Sequence, residues 1–340
     1  MMTYIDYKTV VPRVAIALGV FLFLMMPVFT QNQATLSVFI LIGLWAIAAM
    51  GFTLVLRTGQ FSLGQSAFLA IGGYTSAILT VNLEWPFWPS FLMAGLISGM
   101  VALLVGMVVL RVGGIYFSII TLALGEIIRI IANQWEGVTR GARGLITSPP
   151  PTLSMGFFEI NFNAGPIPYF YFTYCLVAVT AVIFWQIGES RLGRSFAGIA
   201  LNPVLAEHQG IHLMKYRVIA FTLAGVFTGF AGCLYAHFLT VITPFVFGLW
   251  QSIQVMIMSI VGGISALVGG PIIGTFLLYF LGEYLTRLGG AGIQPLLFGA
   301  VVVLVLLFLP KGTGLIDLWG KFWTKVVWRE KEFEFDEVEE

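Results

Sequence analysis

Seven stretches of this chain, 14–29, 36–56, 91–110, 115–131, 168–188, 218–239 and 293–309, run close to the length of a bilayer crossing with almost no charge. A helix rises about 1.5 Å per residue, so roughly 20 mainly apolar residues cover the hydrocarbon core. Inside lipid, each backbone polar group must be satisfied within the protein, which makes such repeated segments helices. Charged residues form only 10% of the 340 residues and the hydrophobic set 59%, whereas a water-soluble domain carries about a quarter charged residues. The 39 glycines suit helices that pack backbone to backbone. The fold class is all-α, integral to the membrane and polytopic.

Two further regions are apolar but interrupted. Segment 61–81 opens on the glycine-studded run Gly59 to Ser66, and 250–285 holds two short helices broken at Gly262-Gly263 and Gly269-Gly270-Pro271. Counting these as one span and two gives about ten, with short or broken helices at 59–81 and 250–285. With the N-terminus in the cytoplasm, 13 of the 17 basic residues then fall inside, 3 outside (Arg140, Arg143 and Arg287) and 1, Arg129, within a span. That bias is the positive-inside signature, and dropping 61–81 would put Arg111 and the loop after it on the wrong sides relative to 191–217. No A-x-A-like cleavage site follows the first run, so it reads as an uncleaved helix. Residues 1–310 are expected to form a single transmembrane domain, with an outer loop at 132–167 and a basic inner loop at 189–217. The outer loop's glycines and its Pro149-Pro150-Pro151 run argue against regular helix there, and 311–340 reads as a charged cytoplasmic tail.

Catalytic chemistry finds little material. The chain has no phosphate-cradling G-x-x-x-x-G-K-[ST], no H-E-x-x-H and no nucleophile elbow. His208 and His212 have Gly210 between them and no third ligand in reach, so they read as polar loop residues, and no metal site is expected. Cys175 and Cys233 lie in apolar runs and read as small core residues. A net charge of +1 gives no field for nucleic acid. Within the spans, Glu126 and Arg129 stand three residues apart and can pair. An ion pair locking two helices is the expectation, with substrate contact as the alternative. Gly95-x-x-x-Gly99 and Gly225-x-x-x-Gly229 are close-packing signals. The breaks at 59–64 and 269–271 are translocation-path candidates, because irregular backbone survives in a bilayer only where it is buried or lines a cavity.

Several ordered motifs carry a resemblance. The run Gly59 to Phe68, continuing to Gly72-Gly73-Tyr74-Thr75, resembles the "SLGxxxFxxxGxY" stretch of branched-chain amino-acid ABC permeases. Tyr116 to Arg129 is similar to their "YxxxxTLxxxEIxR" helix, and Thr139 to Leu145 to their "TGGxxGL" loop. Ser190 to Arg194, Gly210-Ile211, Ala231 to Ala236, Val261 to Ile264 and Phe308 to Gly312 follow in order. The likeness covers about residues 40 to 315 and is nearest the LivM-type permease subunit.

The resemblance implies a non-catalytic subunit of an ATP-driven importer in a bacterial or archaeal cytoplasmic (inner) membrane. Its expected partners are two cytoplasmic ATP-binding subunits carrying ATP and magnesium, a second homologous permease and a periplasmic or extracellular substrate-binding protein. No cofactor is expected on this chain. Branched-chain or other hydrophobic amino acids are the implied cargo. Urea or short-chain amides are the alternative, and an ion-coupled secondary transporter is the reading from another class. By position the resemblance puts Gly193, Arg194, Asn202, Ala206, Gly210 and Ile211 in the loop that docks the ATPase. It puts Gly64, Gln65, Ser66, Tyr74, Tyr116, Thr121, Glu126 and Arg129 near the path. Ala200-Leu201-Asn202-Pro203 stands where relatives commonly carry R-E-N-E, so charges are lost at the expected contact and a proline is gained.

Overall fold

The two Gly-x-x-x-Gly pairs lie in one interface, where each accommodates side chains of the facing helix, and the bundle is organised around it. The computed structural model describes residues 25–27, 32–150, 153–154, 159–160, 162, 165–264, 266–290 and 293–308. The expected first span, apart from 25–27, and the tail 311–340 lie outside them. The helices are α1 (Gln33–Leu56), α2 (Gln65–Val81), α3 (Phe87–Val109), α4 (Ile115–Gln134), the single turn α5 (Glu136–Thr139), α6 (Pro166–Glu189), α7 (Arg191–Leu201), α8 (Pro203–His208), α9 (Leu213–Leu239), α10 (Leu249–Gly262), α11 (Gly269–Gly289) and α12 (Ile293–Phe308).

Helix α9 stands at the centre, packed on α3, α2 and α1. A Cβ at Gly225 or Gly229 would strike Ala102 or Ser98 of α3, and one at Gly232 would strike the Leu69 carbonyl of α2. Lipid tails are as apolar as leucine, so helices associate through such close contact and through hydrogen bonds instead of a hydrophobic drive. Ser98 supplies one bond, its Oγ donating to the Gly225 carbonyl at 2.8 Å. Around this centre, Tyr174 of α6 donates to the Phe39 carbonyl of α1 at 2.9 Å, and Ser259 of α10 donates to Ala49 of α1 at 3.0 Å.

Helices α1, α3, α4, α6 and α9 are long and apolar enough to cross a membrane; α2 and α10 are shorter. The interrupted regions nevertheless reach both ends of the bundle. Gly59 packs on Ala200 of α7, at the end that charge assigns to the cytoplasm, while at the other end Asn82 Nδ2 donates to the Val138 carbonyl at 3.0 Å. Leu267, in the turn after α10, lies against Gly188 at the inner end of α6. Thus 59–81 is an irregular stretch followed by a helix, and 250–285 folds as a tight hairpin in which Gly262, Gly270 and Gly274 touch backbone to backbone.

Two expectations need correction, and a third region gains detail. Cys175 is exposed on α6, and only Cys233 is a core residue. The outer loop is not free of helix: α5 and a 3-10 turn at Gly141–Arg143 form because Gly141 and Gly144 adopt positive φ and let the chain double back. The inner loop 189–217 is mostly helix, formed by α7, α8 and the start of α9.

Candidate functional site

Residues Gln60 to Gly64 run without regular secondary structure and mostly buried beside the inner half of α4. Such backbone needs partners where water is excluded, and two hydroxyls on one face of α4 provide them. Ser118 Oγ donates to the Phe61 carbonyl at 2.6 Å, and Thr121 Oγ1 accepts from the Leu63 amide at 3.0 Å. Their i,i+3 spacing puts both on the same stripe of the helix. Beyond Gly64 the chain enters α2, where the Ser66 amide donates to Ser252 Oγ of α10 at 3.2 Å and Ser252 Oγ donates to Ser66 Oγ at 2.8 Å. Gln65 turns the other way and accepts from Thr228 of α9 at 3.0 Å. Towards the cytoplasmic end this segment and α4 border an open cavity of about 480 Å³ lined by Phe61, Leu63, Ile115, Ser118, Ile119 and Leu122.

Of the residues expected near the path, Gly64, Ser66 and Thr121 therefore meet at one junction, with Gln65 on its far side. Tyr74 is separate, buried two turns further along α2 with its ring edge-on to Phe247 at 6.1 Å. Tyr116 is exposed at the start of α4, 67% of it open. Glu126 and Arg129 do pair, Arg129 Nε donating to Glu126 Oε1 at 2.9 Å. Their bonds stay within α4 on its partly exposed side, so the pair does not lock two helices as expected.

At the cytoplasmic end, the six residues carried over for the docking loop build a two-helix unit. Gly193 lets α7 back onto the Gly188 carbonyl, and Arg194 Nη1 donates to the Glu189 carbonyl at 2.9 Å, capping α6. Asn202 Oδ1 accepts from the Leu205 amide at 3.1 Å, making it the N-cap of α8 with Pro203 at N1, a position that needs no amide hydrogen. The proline that departs from the family pattern is thereby accommodated. Ala206 is buried and accepts from the Ile211 amide at 3.0 Å, while Gly210, at φ +82°, closes the turn. What this scaffold presents outward is a set of residues the motif did not name: Leu201, Val204 and Leu205, all exposed. Aliphatic side chains in a basic cytoplasmic loop, with no core there to join, were the available signal. Nearby, burial of the Arg57 guanidinium just past α1 lowers its pKa from the ordinary arginine value, and the Glu189 carboxylate offsets part of that.

The outer loop is clamped to the outer end of α9. Leu145–Ile146 pairs antiparallel with Val241–Ile242, and Thr147 Oγ1 donates to the Ala236 carbonyl at 2.8 Å. His237 Nδ1 lies 2.7 Å from the Ser148 carbonyl and so carries the proton, with Nε2 3.1 Å from Ser76 Oγ of α2. Arg140 and Arg143 project from this clamped segment and are exposed.

The family model described as "Branched-chain amino acid transport system / permease component" matches residues 34–310. Among curated proteins, the chain is similar to the high-affinity branched-chain amino acid transport system permease protein LivM of Escherichia coli (strain K12), 26% identical over 84% of this chain and 71% of the relative. It is also similar to the galactofuranose transporter permease protein YtfT of the same organism, 25% identical over 66% of this chain and 62% of the relative. The autoinducer 2 import system permease protein LsrC of Yersinia pestis is 27% identical over 76% of this chain and 72% of the relative. No solved structure matches the chain.

Proposed function

This chain belongs to the branched-chain amino acid transport system permease family, and from that premise we propose that it is the membrane-spanning subunit of an ATP-driven importer carrying branched-chain or other hydrophobic amino acids inward by alternating access. The observation that carries the reading is the α7–α8 unit: capped and wedged against α6, it holds Leu201, Val204 and Leu205 out into the cytoplasm, as a contact for a separate ATPase requires. ATP and magnesium belong to two such partner subunits. A second permease of the same family closes the other side of the path, and a binding protein delivers cargo at the outer face. The bundle sits in the cytoplasmic membrane of its cell.

Two observations support an apolar cargo over the sugar or autoinducer named for other relatives. LivM is the relative matched over the largest share of this chain among those compared above. The cavity beside segment 60–64 has Ser118 as its one polar side chain among the described residues, and that hydroxyl already donates to Phe61. A polyol leaving its hydration shell there would lose hydrogen bonds it does not regain.

The test is uptake into proteoliposomes holding the complete importer, with leucine, galactofuranose and urea offered in turn. Leucine uptake that needs internal ATP and a binding protein is expected. Uptake driven by a proton or sodium gradient alone refutes the importer, and a preference for urea or the sugar refutes the cargo.

A further inference from the structure

The inner loop touches the broken helix at two points, one midway along it and one at its end. In the last turn of α7, the Ala200 Cα lies 3.3 Å from where a Cβ on Gly59 would stand, and the Ile199 carbonyl oxygen lies 3.8 Å from the same point. Gly59 holds φ +75°, a conformation that favours glycine, so the turn is shaped to receive α7 closely. At the other end of the loop, Arg217 near the start of α9 reaches the buried Gln60. With the Gln60 amide oxygen turned toward α9, it accepts from Arg217 Nε at 3.2 Å and from Nη2 at 3.3 Å. A guanidinium fork on one oxygen fixes direction as well as distance.

From these contacts we propose that Gln60 and Arg217 are a positioning pair through which the cytoplasmic helices move segment 60–64, and with it the path; this rests on the importer reading above. The segment has no helical ladder of its own. Its contacts run inward to α7 and α9 and sideways to Ser118 and Thr121 of α4, then onward to Ser66 and Ser252. Packed interiors pass displacement on instead of absorbing it. A shift of α7 and the start of α9 is therefore delivered to residues 60–64 as a unit, and re-registers the hydroxyls of α4 against that backbone.

The experiment uses the complete importer in proteoliposomes. The readouts are ATP turnover stimulated by cargo-loaded binding protein, and the Kd of the ATPase subunits for the permease. Gln60→Leu and Arg217→Met are expected to lose stimulation by about fivefold or more, the lower edge of ordinary coupling between sites, with the Kd unchanged. Gln60→Glu, which keeps the acceptor, is expected to restore it. Full stimulation in Gln60→Leu, or a Gln60→Glu variant as defective as Gln60→Leu, overturns the proposal.

A second arm reads the coupling between the two residues instead of the size of each loss. The Gln60→Leu/Arg217→Met double variant is expected to lose no more stimulation than either single variant, because both remove the same contact. Losses that multiply overturn the proposal. If wild-type protein itself shows no ATP dependence, the importer reading fails instead, and that outcome is separate from both arms.

Discussion

Replacing Leu201, Val204 and Leu205 together with serine should weaken ATPase docking while leaving the permease intact. These side chains are 87%, 64% and 55% exposed. Full burial of such a side chain contributes about 1.5–3 kcal/mol, so covering the open fractions of all three amounts to roughly 3–6 kcal/mol at most. Association costs absorb part of any apolar gain, and realising about half leaves near 2 kcal/mol. Each 1.4 kcal/mol is about a factor of ten, so the Kd of the ATPase subunits should rise by roughly 30-fold. Exposed side chains change folding by about 0.5 kcal/mol or less, and the Asn202 cap bonds the Leu205 backbone amide, which serine keeps, so the thermal midpoint of the isolated permease should hold. Titrating labelled ATPase subunits onto permease in nanodiscs measures the first quantity and a thermal-shift series the second. An unchanged Kd would refute the reasoning, because apolar side chains buried at a contact cannot be removed without effect. A drop in midpoint would show that they are already buried against the permease.

Thr121→Val keeps shape but removes the acceptor for the Leu63 amide, and should destabilise the bundle by about 1–3 kcal/mol; a wild-type midpoint in a denaturant titration would contradict it. Gly232→Val drives a side chain into the Leu69 carbonyl, a backbone atom with nowhere to go, so the yield of monodisperse protein should collapse, while Cys233→Ala beside it should cost far less. Glu126→Gln breaks a pair closed within α4 and should leave assembly unchanged; failure of the subunits to co-purify would show that Glu126 reaches another helix after all.

The length of apolar runs and the placement of charge carried the architecture because lipid imposes a simple rule on length and polarity. Helices appeared where apolar runs stood, since that signal is local, and the glycine pairs at 95/99 and 225/229 proved to share one interface. The break at Gly59–Ser66 was legible as a break. That Ser118 and Thr121 would satisfy it was not, because the bond from Leu63 to Thr121 spans 58 positions. At the inner loop, the motif named the residues that build the turn, Asn202 and Gly210, and passed over those that face outward. Builders need fixed residue types for capping and positive φ, whereas an exposed apolar patch is satisfied by any aliphatic side chain. Glu126 and Arg129 were found by spacing, but spacing alone does not tell a pair across helices from one along a single helix.

The clamp on the outer loop sets the terms of any encounter at that face. A strand pair, the Thr147 hydroxyl and the His237 imidazole tie down residues 145–148 before anything arrives. A protein docking there would meet Arg140 and Arg143 just ahead of that tethered stretch, and little ordering entropy of residues 145–148 would be lost on contact. Discrimination at that surface becomes a matter of shape and charge match at first touch. Changes that loosen the clamp should appear as slower capture, not as a different choice of partner.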